Sequence, residues 1–396
     1  MKHRAMPLPW TLDNVPHAVL DILRGCNITC RDCYNSRPDH LVSLAEVETQ
    51  LDTLQRLRRL QSVSVVGGEI TLHPELVEIV RLIHNRGLSV ELFSNGVTLD
   101  DRMLARLKQA GANVIFLHIE AHQRRPDLLA HASSDDVRRL RLEKAAMVAA
   151  HGIDAGLAIT AYPDNLDEIE AAVAITLESP HLCYLLVTMW RDITRMPAIR
   201  GDLRSGLLAD AAHLRHFELN EEIVPEEIMQ MLATEFGLEP FTVLGSNVDP
   251  LDPRWFTFLI ATAHRQNHLS AYRGLRSTRV EPLFLEISRR TKGRYPFYQQ
   301  QSSVTLAAHM LLNGVSGGGL VRNSKFLLTA TGAKLSAKRI LFQRPATFDK
   351  EGRLIHCRCC PDAVVKNGNL VPLCISDRVS AVGNEADVNR RVEEAR

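Results

Sequence analysis

Between residue 17 and about residue 190, short runs of β-branched and aliphatic residues alternate with amphipathic helical stretches, and this alternation leaves few folds open. The expected strands are 17–23, 62–66, 88–93, 113–119, 153–160 and 182–188. Helices are expected over 44–60, 74–85, 100–110, 135–151 and 165–177. The first opens on Ser43-Leu44-Ala45-Glu46, a capping box, and repeats Leu44, Val47, Leu51 and Leu54 on one face. Pro74 suits a first helical turn, and Gly87, Gly111 and Gly152 close three of the helices. The pattern predicts an α/β fold with a parallel sheet and helical crossovers. Ligands bind such sheets at the carboxyl ends of the strands, so the loops that follow each strand carry the functional information.

The first of those loops runs from Arg24 to Asn35 and holds Cys26, Cys30 and Cys33 at C-x3-C-x2-C spacing. Three thiolates on one tight loop can each hold one iron of a cubane cluster, which leaves the fourth iron without a protein ligand. Clusters of the electron-transfer kind usually have all four irons held by cysteine. An open metal site is where chemistry happens. Three cysteines alone cannot complete a zinc tetrahedron, and an odd local count argues against a disulfide framework. This spacing, placed after a first strand, resembles the signature of the radical S-adenosylmethionine (SAM) superfamily. The family often has an aromatic residue before the last cysteine, whereas this chain has Asp32 there and Tyr34 after it.

The resemblance implies a partial (β/α)6 barrel, a [4Fe–4S] cluster and SAM. It also implies that the unique iron chelates SAM, and that one electron splits the sulfonium to leave a 5′-deoxyadenosyl radical. Later strand ends extend it. Gly67-Gly68-Glu69 after the second strand resembles the family's GGE motif, which meets the amino group of SAM. Ser94-Asn95-Gly96 after the third resembles its SNG-type turn, although Asn-Gly is also ordinary turn chemistry. At the fourth strand end, His118 and Glu120 lie two apart and share a face, so both are candidate SAM contacts, Glu120 toward the ribose. Thr160 to Asn165 is a further candidate contact region. Cys183, in an apolar run, reads as a small buried hydrophobe or else as a hydrogen-atom donor or extra ligand.

A chain of 396 residues with 45% hydrophobic and 23% charged residues exceeds one average domain and can bury a core. Its net charge of +1 gives no electrostatic footprint for nucleic acid or an anionic membrane. No apolar run follows Met1-Lys2-His3-Arg4, and no apolar stretch reaches membrane-span length, so we expect a cytoplasmic protein without signal peptide or membrane span. Past residue 195 the pattern changes. Residues 225–237, 255–268 and 303–312 read as helices, and 314–319 is a glycine-rich turn without the Lys-Ser/Thr of a P-loop. Trp255, Phe256, Phe258, Tyr295, Phe297 and Tyr298 concentrate in this region. Arg273, Arg276, Arg279, Arg289 and Arg290 form either a substrate-facing surface or a solvated basic face.

Four more cysteines, Cys357, Cys359, Cys360 and Cys374, fall within eighteen residues, too dense for core packing. Residues 364–371 read as a hairpin turning at Asn367-Gly368, which returns Cys374 to the Cys357–Cys360 knuckle. A hairpin of this kind resembles the SPASM and twitch modules that follow radical SAM barrels. The resemblance implies one auxiliary [4Fe–4S] cluster; structural zinc is the alternative. The expected organisation is an N-terminal extension (1–16), the barrel (17–194), a mainly helical substrate or cap region (195–350), the auxiliary-cluster segment (351–378) and a charged tail (379–396). The function implied is SAM cleavage followed by hydrogen-atom abstraction from a peptide, sugar, alcohol or lipid, fed by an electron donor such as flavodoxin or ferredoxin. A non-catalytic iron–sulfur or zinc-binding protein is the rival. That rival gives no reason for Gly67-Gly68-Glu69 where it stands. A nucleic-acid-binding zinc module would need more basic surface than Arg353, Arg358 and Lys366 supply.

Overall fold

A computed structural model describes residues 5–31, 33, 40–121, 123–129, 132–191, 223–292, 295, 302–348, 354–366 and 368–376. Asp32, Tyr34, Phe297, Tyr298, Arg353, Asn367 and the expected charged tail lie outside the described residues.

The six expected strands form. They are β1 (His17–Asp21), β2 (Ser62–Val66), β3 (Ser89–Ser94), β4 (Ala112–Leu117), β5 (Asp154–Ala161) and β6 (Leu182–Met189). Each pairs in parallel with the next. The crossovers are α1 (Leu44–Leu57), α2 (Leu76–Asn85), α3 (Asp101–Ala110), α4 (Ser134–Ala150) and α5 (Leu166–Glu178). Ser43 and Glu46 close the capping box that starts α1. Helix α2 begins two residues later than Pro74 suggests, with Glu75 at its cap position. Gly87, Gly111 and Gly152 take the left-handed conformation that ends a helix.

Alternation along the strands separates two environments. Ala18, Leu20, Val63, Val65, Val90, Leu92, Ile115 and Leu117 pack in one core with residues of the helices, including Leu51, Leu54, Ile79 and Leu104. The other face carries His17, Val19, Ser64, Glu91, Phe93, Val114 and Phe116, and lines a cavity. One face makes the core, and the other makes the site.

The region after residue 195 corrects the helical reading. Residues 255–268 are not a helix but most of a strand, β8 (Pro253–Arg265), paired antiparallel with β7 (Thr242–Gly245) and β9 (His268–Gly274). Phe256, Phe258 and Ile260 enter the core shared with the helices, while Trp255, Thr257 and Leu259 line the cavity. A strand apolar on both faces gives a continuous hydrophobic run, which periodicity alone cannot tell from a buried helix. Strand β10 (Lys334–Gln343) pairs antiparallel with β8 and parallel with β6, so the expected helical region extends the barrel sheet. With Met6–Pro7 beside β7, the described sheet has 11 strands. The helices of this region are α6 (Pro225–Phe236), α7 (Glu281–Lys292), α8 (Ser303–Asn313) and α9 (Leu320–Thr329). A hairpin of β11 (Ala363–Lys366) and β12 (Asn369–Pro372) follows, as the sequence suggests. Among the described residues no helix is long and apolar enough to cross a membrane.

Phe256 is fully buried in the core that the added strands share with the barrel, and stacks on Phe342 of β10 with ring centroids 5.0 Å apart. Phe256→Ala is expected to destabilise the fold by about 3–5 kcal/mol, measured as a lower midpoint in denaturant unfolding.

Candidate active site

The cysteine loop leaves β1 at the carboxyl end of the sheet and rests on the turn that follows β2. The amide of Gly68 donates to the Leu23 carbonyl and that of Glu69 to the Gly25 carbonyl, both at 2.8 Å. A Cβ on Gly67 or Gly68 would collide with the backbone of Leu23 or Gly25. The two glycines are therefore required by the close approach of the cysteine loop itself. Thr29–Cys30 also pairs antiparallel with Gln123–Arg124, which ties this loop to the segment after β4. On its other side, Tyr162 donates to the Arg31 carbonyl at 2.9 Å, and the Arg31 guanidinium lies over the Tyr162 ring, 4.3 Å from its centre.

Cys26, Cys30, Cys33, Gly67, Gly68, Ser94, Asn95 and His118 all line the cavity. Glu69 and Glu120 stand behind that wall. The buried Glu69 carboxylate accepts from the Thr71 amide (3.1 Å), the Thr71 hydroxyl (2.6 Å), the Ser94 hydroxyl (2.7 Å) and the Asn95 amide (2.6 Å). Four donors from two strand ends occupy it. Glu120, also buried, accepts from the Thr160 amide and lies 3.0 Å from His118 Nε2. Burial opposes the charge on both partners of that pair. For Glu120 the His118 ring, the Thr160 amide and Arg141 outweigh burial and hold the carboxyl below its ordinary value. For His118 the Glu120 carboxylate and the Cys30 thiol outweigh burial and raise the ring well above its ordinary value.

Two arginines that the sequence did not single out brace these loops. Arg125 donates to the Asn95 carbonyl and to Gln123 Oε1, each at 2.8 Å, and pairs with Asp127 at 2.6 Å. Arg141 donates to the Ile119 carbonyl at 2.8 Å and pairs with Glu168 at 2.5 Å. Nothing in the sequence separates Arg125 from its neighbour Arg124. Only the fold aims one of them inward.

The cavity has a volume of about 810 Å³. Phe93 and Phe116, stacked at 4.6 Å, form an aromatic wall with Tyr184 and Trp255. Its polar floor is a chain of contacts: Ser62 Oγ to His17 Nδ1 (2.7 Å), His17 Nε2 to Ser64 Oγ (3.1 Å), and Ser64 Oγ to Glu91 Oε2 (3.2 Å). Burial pushes the Glu91 carboxyl up to about 7, against the pull of the Ser64 hydroxyl and Arg339. Burial and the Arg58 charge push His17 down to about 3.

The second cysteine group faces the same cavity. Cys357, Cys360 and Cys374 line it, whereas Cys359 does not. Cys359 takes a left-handed backbone (φ 54°) and packs against the apolar cluster of Met6, Trp10 and Leu244 to which Cys357 and Cys360 also belong. Arg58 anchors the knuckle to the barrel by donating to the carbonyls of Cys360 and His17, each at 2.7 Å. Arg191, directly after β6, donates to the carbonyls of Cys374 and Ala346. Cys183 lies off the cavity, and burial pushes its thiol up to about 12. Among the described residues no group of three His, Cys, Asp or Glu side chains is placed to hold a metal ion. A cubane asks instead that each thiolate hold its own iron, and two sets of three thiols lining one cavity supply that donor chemistry.

Residues 20–174 match the family model described as Radical SAM superfamily. The chain carries a radical SAM domain. Beyond that domain the likenesses are partial. The 7,8-dihydro-6-hydroxymethylpterin dimethyltransferase of Methanocaldococcus jannaschii is 27% identical over 124 residues, 30% of this chain and 24% of that protein. The PqqA peptide cyclase of Ruegeria pomeroyi is 28% identical over 172 residues, 41% of this chain and 44% of that protein. The chain thus spans less than half the length of these curated relatives. Among solved structures, Streptococcus suis SuiB bound to S-adenosylmethionine is similar with a TM-score of 0.37 and 15% identity, over 60% of this chain and 55% of that one.

The Glu91 carboxyl gives the radical SAM domain a pH-dependent stability of definite sign. Its folded value, about 7, lies above its ordinary value of 4.5, so the folded state binds the extra proton. Stability attributable to Glu91 is full below about pH 4.5 and is lost as pH rises through 7. Glu91→Gln is expected to raise the melting temperature more at pH 8 than at pH 5, as read by thermal unfolding at the two pH values.

Proposed function

We propose that this protein is a radical SAM enzyme that binds SAM and a second substrate in the one cavity between its two cysteine groups. In this reading Cys26, Cys30 and Cys33 hold a [4Fe–4S] cluster whose fourth iron takes SAM. Cys357, Cys360 and Cys374 hold an auxiliary [4Fe–4S] cluster, and Cys359 is left out. The observation that carries the reading is that six cysteines from opposite ends of the chain line a single cavity of about 810 Å³. A protein that only relays electrons has no need of such a space, whereas its volume falls in the range of ligand pockets. We keep the organisation expected from sequence: the barrel over 17–194, the substrate or cap region over 195–350 and the auxiliary segment over 351–378.

When bound and reduced, the cluster–SAM pair supplies a 5′-deoxyadenosyl radical able to take a hydrogen atom from an unactivated C–H bond. The chain's own residues position and exclude. Gly67, Gly68, Ser94, Asn95 and His118 form the wall against which SAM would lie. Glu69 and Glu120 act as positioning residues, holding the strand-end loops that carry that wall. Phe93, Phe116 and Tyr184 present an apolar surface that keeps water from a reactive carbon. A reduced flavodoxin or ferredoxin is the proposed electron donor. The substrate is a peptide, sugar, alcohol or lipid; the pterin- and peptide-acting relatives support carbon-centred chemistry without choosing among these.

The test is 5′-deoxyadenosine formation by anaerobically reconstituted, dithionite-reduced protein. Wild type is expected to form it, and the Cys26/Cys30/Cys33→Ala variant is not. No product from wild type with full iron and sulfide content would sink the enzymatic reading. Iron analysis separates the cysteines of the second group. Cys357/Cys360/Cys374→Ala is expected to lose about four iron atoms per chain, and Cys359→Ala none.

A further inference from the structure

Neither the cavity nor the cysteines account for one part of the surface. Of the nineteen large hydrophobic side chains exposed among the described residues, eleven fall between Val280 and Leu328. Single exposed apolar residues are normal, but a concentration of them marks an interaction site.

These residues form helical stripes turned outward. Val280, Leu283, Phe284 and Ile287 recur at i, i+3, i+4 and i+7 along α7, and that face is exposed while Leu285 and Ser288 are buried. On α8 and the turn after it, Leu311, Leu312 and Val315 face solvent, and Leu306 and Met310 face the core. Three contacts join the stripes into one surface. The Asn313 amide donates to Glu281 Oε1 at 2.7 Å, the Ser316 hydroxyl to Thr278 Oγ1 at 3.0 Å, and the Phe284 ring stacks on His309 at 5.6 Å. The turn 314–319 ends that surface, with Val315 within it 73% exposed and Val321 just after it 82% exposed.

The charge is equally local. Residues 273–325 contain nine lysines and arginines against two glutamates, a net +7 within a chain whose total is +1. Arg276, Arg279 and Arg322 are exposed, Arg276 in an ion pair with Glu239, and the Arg273 and Arg322 side chains flank Gly319 in the turn. Exposed arginines thus adjoin the apolar turn within a chain of near-neutral total charge.

We propose that this face docks on an anionic lipid bilayer. The turn and the outward stripes enter the boundary between headgroups and acyl chains, and Arg276, Arg279 and Arg322 rest on lipid phosphates. Exposed aliphatic side chains bordered by arginines are a pattern of interfacial binding to anionic lipid. A second copy of this chain fits less well, because Arg279 and Arg322 would meet the same arginines. A bilayer takes up scattered, strongly exposed aliphatic side chains such as Val315 and Val321 without a shaped recess to receive them. The proposal rests on surface residues alone and stands apart from the cysteine chemistry.

The test is co-sedimentation of the full-length protein with vesicles of phosphatidylcholine containing about 30% phosphatidylserine, and with phosphatidylcholine alone. Wild type is expected to sediment with the anionic vesicles and to be released by high salt. Leu312→Ser/Val315→Ser/Val321→Ser and Arg276→Gln/Arg279→Gln/Arg322→Gln are each expected to weaken binding roughly tenfold or more. Their circular dichroism and melting should match wild type, because every changed side chain is exposed. No sedimentation with anionic vesicles, or sedimentation that both variants keep, overturns the proposal. A dimer in light scattering that the same variants dissociate also overturns it, in favour of self-association.

Discussion

The buried carboxylate of Glu69 is the interaction on which the top of the barrel depends. A charge taken out of water is tolerated only when its lone pairs are met, and a half-met one is costly. Glu69 meets four donors, two from Thr71 on its own turn and two from Ser94 and Asn95 at the end of the neighbouring strand. It therefore fixes the spacing of the ends of β2 and β3, and with it the glycine turn on which the cysteine loop lies. Replacing its charge would leave amide and hydroxyl donors unpaired beneath the cysteine loop, so the loss would be felt in geometry before chemistry.

The same economy runs through the other loops. Glu120 ties the end of β4 to β5, Arg125 ties Asn95 to the segment after β4, and Tyr162 reaches back to Arg31. Each charged or polar group behind the wall is spent on holding another loop. The wall itself is left to glycines, Ser94, Asn95, His118 and thiols. The C-terminal segment is held by backbone carbonyls that accept from Arg58 and Arg191, so its thiols are positioned without being consumed in hydrogen bonds to those arginines. The same cavity has an aromatic lining and a polar floor, a setting in which an uncharged carbon can be held out of water.

How much of this could be read from the sequence depends on the range of the interactions involved. The barrel strands were legible because each alternates locally with a helix, and Ser43, Gly87 and Gly111 mark helix ends through contacts within a few residues. The cysteine spacing and Gly67-Gly68 were legible as motifs, although what the glycines approach is Leu23 and Gly25, more than forty residues upstream. Strand β8 was misread because both its faces are apolar: Phe256 and Phe258 meet the barrel core while Trp255 and Thr257 meet the cavity. The roles of Arg58, Arg125 and Arg191 were invisible, since each acts through a backbone carbonyl distant in sequence. The withdrawal of Cys359 from the cavity was invisible too, because four closely spaced cysteines look alike until the backbone turns one of them away.

The most direct test of the central claim is low-temperature electron paramagnetic resonance of the dithionite-reduced protein before and after SAM is added. The account predicts that SAM alters the signal of one cluster, because an iron held at the Cys26–Cys33 loop has a coordination site open to the cavity. That change should be absent in Cys26/Cys30/Cys33→Ala and kept in Cys357/Cys360/Cys374→Ala. A spectrum that SAM leaves unchanged in wild type, with both clusters present and reduced, would contradict it.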